Sequence, residues 1–194
     1  MSKVQLQGNA SGTGVFTIAS PNSNTDRTLT LPDQTGTLLS SSAQGIPKSA
    51  LPTGSVLQVV NATTDIETSN LSTSVWADTT LTASITPTSS SSKILILLSQ
   101  NGVNRQTNPG GVRVRLLRGA TILSEYAGIY GAAWQGAGIG SENGVGSVSA
   151  GILDSPGTAS SVTYKSQLIA GQGGQAIVQH GNAVSTLILM EIAA

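Results

Sequence analysis

The chain has 194 residues, no cysteine, nine Lys or Arg balanced by nine Asp or Glu, and 3% aromatic residues. Zero net charge argues against a nucleic-acid partner, the lack of cysteine removes disulfides and thiolate metal sites, and no run approaches the ~20 apolar residues of a membrane span. Charged residues make up 9% of the chain against about 25% in an ordinary soluble domain, so the surface lacks the repulsion that keeps copies apart, a first sign of permanent association.

No long window carries a 3.6-residue apolar period, and Gly, Ser and Thr interrupt almost everywhere, so the reading is all-β. "MSKVQLQGNAS" has no apolar h-region, and no secretory leader is expected. Residues 1–54 read as short strands and corners. "GVFTIAS" (14–20) sets Phe16 and Ile18 on one face, and "RTLTL" (27–31) sets Leu29 and Leu31 on one face. Pro32 and Gly36 then turn the chain, and "TLLSSSAQGIPKSALPTG" (37–54) reads as an extended connector. These pieces are too thin for a core of their own, so 1–54 is expected to be completed by neighbouring chains or by a larger body.

Residues 55–194 read as a second, richer part, a sandwich or barrel by the spacing of its turns. Strands are expected at 55–63, 81–87, 93–101, 112–119, 120–127, 145–154, 162–170, 175–180 and 185–193, with turn signals between them. "KILILLS" (93–99) and "STLILMEIA" (185–193) are apolar on both faces. One face can meet the sandwich core, and the other needs a second cover, for which a subunit interface is the economical choice. Leu95, Leu97, Leu187 and Leu189 are the candidate interface residues; burial inside one chain is the alternative.

Catalytic signals are few. His180 is the lone histidine, no GxSxG elbow exists, and the nine acids are scattered, so His180 reads as a turn or surface residue. Asp65 and Glu67 lie in "TTDIETSN", which reads as a solvated loop rather than a glycosidase pair. "GAGIGS" (136–141) and "GQGG" (171–174) are followed by no helical pattern and read as loops, not phosphate cradles. "RVRLLR" puts Arg113 and Arg115 on the face opposite Val112, Val114 and Leu116; a solvated or salt-bridged face is preferred to a basic stripe for an anionic sugar. "YAGIYGAAW" gathers Tyr126, Tyr130 and Trp134 in or beside a glycine-rich loop, 127–144. Either they recognise a sugar or protein, or they pin the loop down. No enzyme activity, metal or cofactor is expected.

"GVFTIASPNSNTDRTLTLPDQTGTLLSS" (14–41) resembles a segment of fibre and other appendage proteins of tailed bacteriophages, cyanophages among them, and "TLTLPD…GTL" is its specific part. "LTASITPTSSSSKILILLSQ", "VRLLRGATIL", "DSPGTASSVTYKSQL" and "LILMEIA" resemble, in order, the landmarks of the β-sandwich head that ends such proteins. The resemblance implies a homotrimeric virion protein, made in the host cytoplasm. Its jelly-roll-like head would face outward to a host glycan or protein, and its N-terminal part, with Phe16, Ile18, Leu29 and Leu31, would hold other virion proteins. Neither nucleic-acid binding nor membrane insertion is implied. Expected first is a short tail fibre, then a capsid cement, decoration or head-fibre protein, and remotely a polysaccharide-degrading enzyme.

Overall fold

The computed structural model describes residues 51–106, 110–126, 132–135, 144–172 and 174–194, together with 11–15, 17, 22–26, 28 and 48. The chain separates into two compact units, residues 1–39 and 40–194, and the second holds the described strands. Phe16, Ile18, Leu29 and Leu31 lie outside the described residues.

Eleven strands are described: β1 (Val56–Thr64), β2 (Thr68–Asn70), β3 (Ala77–Ile85), β4 (Lys93–Arg105), β5 (Gly110–Arg118), β6 (Thr121–Tyr126), β7 (Ala132–Gln135), β8 (Gly144–Asp154), β9 (Val162–Gly171), β10 (Ala176–Val178) and β11 (Ser185–Ile192). A 3-10 turn, His180–Asn182, lies between β10 and β11. The first sheet runs β1–β11–β4–β8, with β10 continuing the lane of β11 and β2 that of β1. The second runs β3–β9–β5–β6, with β7 beside β6 on the same edge of β5. All pairings are antiparallel. Counted as lanes in chain order, the sheets read 1-8-3-6 and 2-7-4-5, which is the strand order of a jelly roll.

Period-two alternation builds the core between the sheets. Leu81, Ile94, Ile96, Val114, Leu168 and Leu187 are among the residues with essentially no exposure. Each is worth roughly 1.5–3 kcal/mol of transfer free energy. Three polar clasps tie the sheets together. At one rim Arg118 Nη1 donates to both Asp154 oxygens (2.8 and 2.9 Å), and the fully buried Tyr164 hydroxyl donates to Asp154 Oδ2 (2.8 Å). At the same end the buried Glu191 carboxylate accepts from Thr88 N and Oγ1 and from Gln58 Nε2, all at 2.6 Å. Mid-core, Thr79 Oγ1 lies 2.5 Å from Ser166 Oγ, which donates to Gln100 Oε1 (2.9 Å). Thr79 takes the inward place in the alternation that Leu81, Ala83 and Ile85 continue, which sets it against Ser166.

The break between β10 and β11 has a local cause. Between Gln100 and Val103 the β4–β8 register shifts, and Gly102 within it has φ +58°. That left-handed position lets the bulge tuck beneath the 3-10 turn, where a Cβ on Gly102 would lie 2.4 Å from His180 N. Asn101 ties the interruption: its N–H donates to Ser185 Oγ (2.9 Å), and its carbonyl accepts from Gln179 N (2.9 Å).

The strand reading from sequence needs local changes. β3 starts at Ala77 and β4 runs on to Arg105, because sheet pairing carries both past their apolar runs. The segment expected as one loop, 127–144, contains β7, which pairs Gly110 with Gln135 and Val112 with Ala132.

Candidate functional site

Residues 51–55 join the head at the end where β1 begins and β11 finishes: Gly54 N donates to Ala193 O (2.8 Å) and Ala193 N to Ser55 O (2.9 Å). Two outer sheet faces remain, and they differ in chemistry.

The outer face of the first sheet is apolar. Strand register sets Val59, Met190, Leu95 and Leu153 in one row, and Asn61, Ile188, Leu97 and Gly151 in the next. Neither row holds an ionisable group. Val59 is 56% exposed, Leu153 54% and Leu97 38%. Leu95 and Leu97 thus point outward, as an interface requires. Leu187 and Leu189 do not: both are fully buried between the sheets of one chain. The outward residues of β11 are Thr186, Ile188, Met190 and Ile192, one position out of phase with the sequence assignment. Two apolar faces on one strand left the phase open, and the register with β4 sets it.

The outer face of the second sheet is charged. Arg113 reaches Glu125 on β6, its Nε donating to Oε1 (2.7 Å). Arg115 Nε donates to Gln167 Oε1 (2.7 Å), and Gln167 Nε2 donates to Asp78 Oδ1 (2.6 Å). Lys165 Nζ donates to Asp78 Oδ2 (2.8 Å). The hydrogen bonds from Lys165 and Gln167 hold the Asp78 carboxyl below its usual range. Arg113 is therefore salt-bridged, as the preferred reading from sequence had it, whereas Arg115 is hydrogen-bonded to a neutral amide, and Arg118 points to the rim and clasps Asp154.

Trp76, just before β3, was not singled out by sequence. Its ring centroid lies 4.2 Å from the Arg115 guanidinium carbon and 5.4 Å from that of Arg113. To reach β5 from the edge of β3 the ring crosses over β9. Strand parity puts Ile169 of β9 on this outer face, yet Ile169 is 2% exposed, as a residue beneath such a cover would be. Trp76 itself stays half-buried.

The other candidates are scattered. Tyr126 ends β6 and packs partly against the core; burial pushes its phenol up. Tyr130 and the side chain of Trp134 lie outside the described residues. His180 Nδ1 stands 3.0 Å from Glu67 Oε2, a surface pairing, and Asp65 is exposed on the connection that carries Glu67. A cleft of about 280 Å³ opens near the chain entry, between Lys48, Leu51, Thr88, Ser92 and the C-terminal alanines, and its described lining residues include no Asp, Glu or His.

No protein-family model and no curated protein matches the chain.

Proposed function

We propose that this chain is a structural virion protein of a tailed bacteriophage: a short homotrimeric fibre, tail-associated, whose head contacts the host surface. The observation that carries the reading is the two-sidedness of the head. One sheet turns adjoining uncharged apolar rows outward, and the other turns out a lattice of ion pairs and a tryptophan. Uncovered apolar area of that kind favours association, whereas the charged face is suited to water. Three copies packed through the first sheet would leave the second facing outward. The resemblance of residues 14–41 to phage appendage segments supplies the virion context, and the segment before Leu51 enters at one end of the head, where a particle attachment would leave the opposite end free.

Two measurements test it together. Light scattering on the purified protein should return three chains of 19.5 kDa. Gold-labelled antibody against the head should decorate phage tails. A monomer in solution, or virions free of label, would refute the reading; label on capsid faces would replace the tail fibre with a cement or decoration protein.

A further inference from the structure

Among the described residues, every charged group on the outer face of the second sheet can be paired off except one. Asp78 is occupied by Lys165 and Gln167, and Glu125 by both Nε and Nη2 of Arg113. Arg115 has only the neutral Gln167 side chain, through Nε. Among the described residues its two Nη atoms meet no acceptor. Among the described residues three cations face two carboxylates, and the unmatched charge lies on the guanidinium stacked against Trp76. Neighbouring Arg113, facing the same ring, adds repulsion, which Glu125 and Asp78 offset through space without bonding to Arg115.

A cation held in this way is incomplete. Stacking on an indole and partial burial strip water from Arg115, and desolvation depresses its pKa. A planar guanidinium with free Nη donors binds a carboxylate through two parallel bonds, roughly twice as strong as neutral hydrogen bonds. A half-buried indole beside it offers apolar area at low entropic cost. An acceptor group and an apolar face close together on one rigid ring would match both.

We propose that the Trp76–Arg115 face binds a uronic acid residue of a surface polysaccharide, the sugar ring resting on Trp76 and its carboxylate on Arg115. The location suits such a ligand. Trp76 adjoins Ala77, which sits across from Leu168 and Val114 at the end of β3 remote from Ile85 and the chain entry. This deepens the host-contact part of the proposed function, and moves that contact from the 127–144 loop to the sheet face.

The test is calorimetric titration of the full chain with oligomers of galacturonate, glucuronate and mannuronate, with their neutral methyl esters, and with sodium acetate. At least one oligomer should bind saturably, its methyl ester at least tenfold more weakly, and acetate more weakly still. Arg115→Gln should lose at least tenfold in affinity, as should Trp76→Ala, while Lys93→Gln, at the far end of the other sheet, should not change it. Where Arg115→Gln fails to fold, Arg115→Lys keeps the charge and removes the planar fork, and a tenfold loss is again expected. No saturable binding of any oligomer, unchanged affinity in the Arg115 variants, or a methyl ester that binds as well as the acid overturns the proposal. Acetate binding as tightly as the oligomer leaves an anion site without sugar recognition and also overturns it. Neither oligomeric state nor place on the particle enters this titration, so a trimeric tail fibre that ignores uronates loses this proposal alone.

Discussion

Leu97 and Leu189 are cross-strand neighbours by one position, since Leu189 pairs with Ile96 and Ile188 with Leu97. Placing an aspartate at each should give opposite outcomes. Leu189 is fully buried. Leu189→Asp gives up roughly 1.5–3 kcal/mol of transfer free energy and buries an unpaired carboxylate at a further cost of several kcal/mol. The sum is comparable with the ~5–15 kcal/mol that holds an ordinary domain together, so the chain should not fold. Leu97 is 38% exposed, and a carboxylate there reaches water without leaving the sheet. Its loss is roughly 1–2 kcal/mol, scaled from the covered part of the side chain. For a domain of this size that lowers the melting temperature by roughly 2–8 °C. Leu97→Asp should therefore give a folded protein that no longer assembles, because association would bury one charge per copy. Circular dichroism melting and light scattering read the two effects separately. A Leu97→Asp protein that remains trimeric would remove the first sheet from the interface. A Leu189→Asp protein that melts within a few degrees of the parent would refute the inward phase of β11.

Gly102→Ala should cost at least about 3 kcal/mol, since a left-handed alanine costs roughly 1–2 kcal/mol and its Cβ would also meet the backbone of His180. Gly119→Ala, with φ +55° and open space around it, should cost only the conformational part, and equal urea midpoints for the two would deny the packing of the 3-10 turn on β4. Burial alone would raise the Glu191 carboxyl, but hydrogen bonds from Thr88, Ser92 and Gln58 outweigh it and hold the group below its ordinary value of 4.5. Its contribution is thus fully present above the unfolded pKa and lost as pH falls through the folded one. Glu191→Gln should flatten the acid side of a stability–pH curve, and an unchanged slope would count against this anchor. Tyr164→Phe removes one of the donors to Asp154 and should cost about 1–2 kcal/mol in chemical denaturation, with no loss expected only if water replaces the hydroxyl.

Local pattern was enough for the all-β class, because strand character repeats every two residues and shows wherever the two faces differ in polarity. It placed Arg113 and Arg115 opposite Val112, Val114 and Leu116 for that reason, and the sheet has them so. Where both faces are apolar the same pattern carries no phase. "LILMEI" is compatible with either set inward, and only pairing with β4 and the position of the second sheet put Leu187 and Leu189 in the core and Ile188 and Met190 outside. β7 was hidden for a related reason: Ala132 and Gln135 have little strand propensity, and it is the free edge of β5 that recruits them. The candidate binding face lay further out of reach. Trp76 follows a run of Leu, Ser, Thr and Val with no motif around it, and the residues it joins, Arg113 and Arg115, are on another strand. Asp78 meets Lys165 from 87 positions away. Alternation along a strand is written in the nearest neighbours, whereas an uncompensated charge exists only after the sheet has counted its pairs, and that count is made across strands.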